Sequence, residues 1–258
     1  MLDERSLGAG LPIAWVGENY YFHNSIDSTN DEAIRLGKEG ALHGTLIVAD
    51  EQTAGRGRAG KLWITAPHSA IAMSIVLRPD HISASDWPKV NAIAALAVVI
   101  ALEGYGLSAE IKWPNDVLLD GKKTAGILLE GNWRADQAEF GVLGIGVNVE
   151  EGSLPPPALL DYPATYLMQR STQSIARDEL LFAILRSLIF WIERLNTDDL
   201  IVNLNKHLAF IDQTVVIGDD PQLVGKLIGL GDDGNLRIMS NGEELVLGYE
   251  HSSLRPKT

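Results

Sequence analysis

Near residue 212 the sequence changes rhythm, and that change constrains the fold more than any single motif. Beyond it, residues 214–217, 222–230, 235–239 and 244–247 are short runs of strand-forming character. They are separated by Asp219-Asp220-Pro221, Asp232-Asp233-Gly234 and Asn241-Gly242, residue types that favour tight turns. Strands this short and closely spaced predict a small β-barrel. The chain is therefore divided into a larger unit, 1–211, and a small one, 212–258.

The larger unit mixes helix and strand. Asp27-Ser28-Thr29-Asn30-Asp31-Glu32 precedes Ala33, Ile34 and Leu36, and Gly37 and Gly40 stop the run. Ser28 with Asp31, or Thr29 with Glu32, offers a capping-box start to this helix. Residues 44–49 and 71–77 read as strands, the second closed by Arg78-Pro79. Residues 88–102 are alanine-rich and fit a buried helix. Strands follow at 110–113, 117–119 and 124–130, the last two joined by Asp120-Gly121, a strong hairpin turn. Residues 139–149 make another strand, with Gly141, Gly144 and Gly146 inside it. Pro155-Pro156-Pro157 marks an extended loop; residues 177–195 and 197–210 then read as a long and a shorter amphipathic helix.

Several function classes fall away. There is no cysteine, which removes disulfides, thiol catalysis and sulfur-ligated zinc. The histidines at 23, 43, 68, 81, 207 and 251 show no pair at metal-ligand spacing. The longest apolar stretch, 93–102, is too short to span a bilayer. Met1-Leu2-Asp3-Glu4-Arg5 does not open a secretory signal, so a cytoplasmic protein is expected. A formal charge of −13 argues against general nucleic-acid binding, which needs clustered Lys and Arg. Yet residues 54–79 hold no Asp or Glu while carrying Arg56, Arg58, Lys61 and Arg78, and Lys112, Lys122 and Lys123 follow. Such segregation can focus field on a small anion, or can simply be a solvated basic loop.

Gly55-Arg56-Gly57-Arg58-Ala59-Gly60 fits the dinucleotide fingerprint, with Asp80 at a suitable distance. The context excludes it. A Rossmann turn opens a helix whose N-terminus holds pyrophosphate, whereas Lys61-Leu62-Trp63-Ile64-Thr65-Ala66-Pro67 follows here. Gly229-Leu230-Gly231-Asp232-Asp233-Gly234 also fits, and it is an acidic turn. Read differently, three glycines let a backbone approach a ligand closely, and two arginines at alternate positions present planar donors for phosphate or carboxylate oxygens. Only Ala59 is apolar, so the hexapeptide is expected to be mobile when empty and ordered by a bound ligand.

Five blocks in order carry a specific resemblance: Ser28-Thr29-Asn30; Gln52 through Trp63; Lys112-Trp113-Pro114-Asn115-Asp116; Lys123 through Glu130; and Gly144-Ile145-Gly146-Val147-Asn148. Together they resemble the biotin–protein ligase family, and Gly248 through Arg255 is more loosely similar to the end of its C-terminal barrel. The resemblance implies an α+β fold: a mixed β-sheet with flanking helices, related to class II aminoacyl-tRNA synthetases, followed by an SH3-like barrel. It is closest to the form lacking an N-terminal DNA-binding module, because the first helix is expected only about thirty residues in. This chain departs from the family at His68-Ser69-Ala70-Ile71-Ala72, where a Pro-Gly type turn is usual, and at Ala59, often basic.

The implied reaction joins biotin to ATP as biotinyl-5'-AMP and passes biotin to a lysine of a biotin carrier domain of a biotin-dependent carboxylase. Magnesium is expected to ride mainly on the ATP phosphates, a homodimer is left open, and no nucleic acid or membrane partner is expected. By resemblance the catalytic residues are Lys123, Arg58 and Asp116. Biotin would meet Ser28, Thr29, Asn30, Gln52, Gly55, Arg56, Gly57, Arg58, Lys123, Gly126 and Gly144. The nucleotide would meet Arg56, Arg58, Trp63, Lys112, Asn115, Asp116, Lys123 and Asn148. The chemistry suits these types: two anions must meet while charge builds on the α-phosphate, which calls for fixed positive charge. Biotin's ureido ring needs donors and acceptors together. Ser28 has a competing role as helix cap, with Thr29 able to take the cap instead; Trp63 could be core, and Asn115-Asp116 plain turn residues. Two other functions compete, a lipoate or octanoate ligase on the same architecture and a non-catalytic biotin sensor.

Overall fold

Ala70–Leu77 is buried along its whole length and forms β3, the strand around which the larger sheet is organised. A computed structural model describes residues 2–63, 65–135, 137–156, 158, 160, 162–218, 223–248 and 254–257. Its larger sheet also contains β1 (Tyr20–His23), β2 (Leu46–Ala49), β4 (Ala109–Lys112), β5 (Asp116–Leu119), β6 (Lys122–Arg134) and β7 (Gln137–Asn148). The order is β1-β2-β3-β7-β6-β5-β4. The β1–β2 pair is parallel and the other pairs are antiparallel, so the sheet is mixed.

Alternation along the strands divides the core into two layers. Ile47, Val76, Phe140 and Val142 point to one face and meet Ala33 and Leu36 of α2 (Thr29–Lys38). Val48, Ile75, Leu77, Leu143 and Ile145 belong to the opposite cluster, with α3 (Trp87–Glu103) and α4 (Arg177–Ile192). The segment Ala84–Glu103 is long and apolar enough to cross a membrane. In this fold most of α3 is buried in that cluster. A second, five-stranded antiparallel sheet has the order β11-β10-β9-β8-β12, built from β8 (Thr214–Ile217), β9 (Val224–Leu230), β10 (Leu236–Ser240), β11 (Glu243–Leu247) and β12 (Leu254–Pro256).

Some expectations need correction. The first helix is α1 (Glu4–Gly10), far earlier than thirty residues in. Asp3 caps it through a reciprocal bond with Ser6, and its one buried residue, Leu7, gives no periodicity to read. β1 also escaped the sequence reading. The helix expected over 197–210 is shorter, α5 (Asp198–Lys206). Past it the backbone turns extended to pair with β4: Ile111 N–H donates to His207 O and Ala209 N–H to Ile111 O. α4 stops at Ile192 rather than 195. Pro157, Asp219 through Gln222 and Tyr249 through Ser253 lie outside the described residues, and with them parts of the expected proline loop, barrel turn and tail.

Ser28, not Thr29, caps α2. Its hydroxyl accepts from Asp31 N–H at 3.4 Å. The capping box is only half formed, because the Asp31 carboxylate turns to Arg56 and the Ser28 N–H donates to Asp27 instead.

Candidate active site

The start of α2 and the centre of β3 and β7 build a buried polar cluster. Thr29 sends both its N–H (2.8 Å) and its hydroxyl (3.0 Å) to Gln52 Oε1. The Ser74 hydroxyl lies 2.6 Å from Asn30 Oδ1 and 2.8 Å from Thr29 Oγ1, with one hydrogen to share. Gly144 lies directly beneath Asn30, and a Cβ there would strike its amide oxygen. Oxygens crowd this corner, so it favours a ligand that brings N–H groups. Ser74 is a participant that sequence reading missed; its place on β3 opposite Gly144 follows from strand register alone.

The glycine–arginine segment closes over this cluster. Gly57 N–H donates to Lys61 O and Trp63 N–H to Gly55 O, making a tight internal ladder. Gly55 abuts Gln52 and the Trp63 backbone too closely to accept a Cβ. Ala59 takes the strained left-handed conformation, φ 55°. Arg56 forks onto both oxygens of Glu130 at 2.8 Å and reaches Asp31 at 2.7 Å. The segment thus has internal counter-ions on β6 and α2, a source of order absent from the sequence argument. Arg58 leans on Asn115 Oδ1 at 3.3 Å, and Asn115 is fixed in turn by donating to Ile127 O.

A cation cluster stands beside it. Asp116 accepts from Lys112 at 3.1 Å on one oxygen and lies 2.5 Å from Lys123 Nζ on the other. Burial alone would raise the Asp116 carboxyl, but Lys123 and Lys112 outweigh it and hold the group below its ordinary range. Two lysines sharing one carboxylate leave a net positive charge at a place where a small anion can approach. Lys112 also sits 4.7 Å over the Tyr162 ring, and Lys123 5.8 Å from that of Trp63.

The three groups line a single cavity. Ser28, Thr29, Asn30, Gln52, Arg56, Gly57, Arg58, Trp63, Asn115, Lys123, Gly126 and Gly144 all face it. Lys112 and Asp116 lie behind Lys123. Asn148 is buried further along β7, donating to Thr165 O. In this state the space is only about 50 Å³, because the Trp63 indole lies on Gly126 and Gly146, where side chains would collide with it. A ligand of biotin's size needs several times that volume, so Trp63 must shift to admit one. Among the described residues no group of three or more His, Asp or Glu side chains could hold a metal ion.

A family described as Biotin/lipoate A/B protein ligase matches residues 22–148. The biotin–[acetyl-CoA-carboxylase] ligase of Mycobacterium tuberculosis is 33% identical over 193 residues, covering 72% of this chain and 69% of that protein. The chain belongs to the biotin protein ligase family. A bifunctional ligase/repressor from Bacillus spizizenii is 41% identical over 177 residues, 68% of this chain and 54% of that protein, so the match spans about half of that relative's length. The biotin protein ligase of Aquifex aeolicus, solved with biotin and ATP, superposes with a TM-score of 0.80 at 26% identity, covering 93% of this chain and all of that one. The mixed sheet and the small antiparallel sheet are thus the biotin protein ligase architecture.

Proposed function

We propose that this chain is a biotin–[acetyl-CoA-carboxylase] ligase that binds biotin and ATP in the cavity described above. One observation carries this reading: an oxygen-rich polar corner and Lys123, the exposed end of a net-cationic Lys112–Asp116–Lys123 cluster, line the same cavity. The corner suits a ureido head group. The far end suits a carboxylate meeting a phosphate.

In the first step a biotin carboxylate oxygen bonds to the α-phosphorus of ATP as the bond to pyrophosphate breaks. Lys123 neutralises the two converging anions, and Arg58, braced by Asn115, steadies the phosphate oxygens. Asp116 orients Lys123 through their ion pair. In the second step an acceptor lysine amine attacks the acyl carbon and AMP leaves. Magnesium arrives with the ATP phosphates, since Asp116 is committed to its two lysines. The acceptor lies on the biotin carrier domain of acetyl-CoA carboxylase, as the name of the mycobacterial relative suggests. Residues 1–211 form the catalytic unit and 212–258 the small barrel; the protein works in the cytoplasm, without nucleic acid or membrane.

The Thr29–Gln52–Ser74–Asn30 cluster favours biotin over lipoate, because its oxygens, though bonded to one another, keep acceptor capacity that ureido N–H groups can use and an apolar ring cannot. The retained Lys123 and Asp116 favour an enzyme over a biotin sensor. Incubation with a biotin carrier domain, MgATP and either acid tests both points by mass spectrometry. Biotin addition dependent on ATP and magnesium is expected; equal acylation by lipoate, or biotin binding without transfer, would overturn the reading.

A further inference from the structure

Glu130 is more than a counter-ion to Arg56: it joins the two halves of the cavity wall. Its Oε1 and Oε2 each accept a 2.8 Å bond from Arg56, and Oε2 also accepts from Asn30 Nδ2 at 2.8 Å. Asn30 in turn takes the Ser74 hydroxyl on its Oδ1. A continuous chain of bonds therefore runs from the polar corner through Asn30 and Glu130 to the loop arginine. Arg56 is the lever at its end, because it lines both the narrow cavity and a cleft of about 570 Å³ on the other side of the loop.

We infer that Glu130 is a positioning residue: it sets the Arg56 guanidinium, and with it the loop, according to how the polar corner is occupied. Three physical facts support this. A bidentate arginine–carboxylate pair fixes orientation as well as distance. The pair is only partly exposed, Arg56 at 35% and Glu130 at 27%, so solvent does not fully screen it. Asp31, the other carboxylate on Arg56, is 46% exposed, and its bond to Ser28 comes from its backbone N–H rather than its carboxylate, so the carboxylate can hold the arginine without reporting on the corner. With two carboxylates around it, Arg56 is anchored to both β6 and α2, so its guanidinium ties the loop to the wall beneath it.

This inference rests on the proposed reaction for its kinetic consequence but not for its structural one, and the tests separate them. In the unliganded protein, Glu130→Gln should raise amide hydrogen exchange across residues 55–60 by about ten-fold, since the lost pair is charge-assisted. Unchanged exchange would overturn the inference whatever the enzyme's substrate. In pyrophosphate release, Glu130→Gln should lower kcat by about ten-fold with a biotin KM within about three-fold, as expected for misplacement of a group acting in the transition state. Glu130→Asp, which keeps the charge, should recover part of the loss, and Arg56→Gln/Glu130→Gln should be no worse than either single variant. Additive losses in the double variant would overturn the coupling. A wild-type protein without biotin-dependent pyrophosphate release would sink the proposed function and leave the exchange test standing. Should Glu130→Gln not fold, Arg56→Gln tests the same pair by the same exchange measurement.

Discussion

Lys123 Nζ lies 2.5 Å from Asp116 Oδ1, at the edge of the cavity rather than in the depth of the core. The ammonium is therefore held by one partner and open to a second. Its charge gains value as negative charge builds on the α-phosphate, so its loss should appear in rate more than in binding. Lys123→Ala is expected to slow pyrophosphate release by roughly 100-fold or more, the scale of losing one stabilising donor. Biotin affinity, read by calorimetry, should change little. A near-normal release rate would refute the role.

Removing the carboxylate should have the opposite profile. Asp116→Ala leaves two lysines facing each other without their shared counter-ion, and breaking a buried pair in this way costs about 3–5 kcal/mol. Urea denaturation at pH 7 measures it. The folded Asp116 carboxyl titrates below its ordinary value of 3.8, so its contribution is complete above that value. It is lost only as pH falls through the lower folded pKa. The difference between wild type and Asp116→Asn should therefore hold constant from pH 5 to 8 and shrink only under strong acid; a difference that shrinks near pH 6 would contradict this.

Gly146 is the floor on which Trp63 rests. A methyl group there would collide with the indole, and Gly146→Ala is expected to destabilise the protein by about 1–3 kcal/mol as an overpacked site. Trp63→Ala in the same chain removes the collision, so the double variant should be less destabilised than the two single losses added. Thermal denaturation of the four proteins decides it, with simple additivity as the contrary result.

His43 governs a separate pH dependence. Its ring is stacked between Trp15 and His81 at 4.4 Å from each, and its Nδ1 accepts the Arg78 N–H. Burial, then the neighbouring His81 and Arg78, push its pKa from 6.5 down to about 4 against the pull of Asp80. Between those values the unfolded chain binds a proton that the folded protein refuses, so stability falls as pH drops through that window. His43→Gln should flatten the slope between pH 6.5 and 4.5 in urea titrations. An unchanged slope would show that other groups carry it.

Local chemistry made much of this legible. The Asp120-Gly121 turn, the continuous apolar run of β3 and the alanine-rich α3 each carry their signal within a few residues, and the structure places all three as expected. The blocks from Ser28 to Gly144 converge on one cavity for the same reason: each is a contiguous motif. What escaped was non-local or weakly patterned. Glu130 meets Arg56 across 74 positions, and nothing near either residue announces the partner. Ser74 became visible only through its register against Gly144. The loop was expected to find order only from a ligand because its own composition offered none; the compensating charge lay on a strand formed much later in the chain.

The position of β7 between β3 and β6 has a consequence for how the protein reaches its working form. The strands carrying Lys123 and Asp116 form a meander with short turns, cheap to close as a nascent chain emerges. The polar side chains of the corner lie earlier in the chain, at the start of α2, after β2 and on β3, and the α3 excursion separates them from the lysines. Neither half touches the other by direct strand pairing, because β7 alone pairs with both β3 and β6. A chain halted before residue 137 lacks the one strand that pairs with both β3 and β6, and with it the glycine floor under Asn30 and Trp63. The cavity is therefore complete only where β7 pairs with both neighbours, since its own Gly144 and Gly146 also line it.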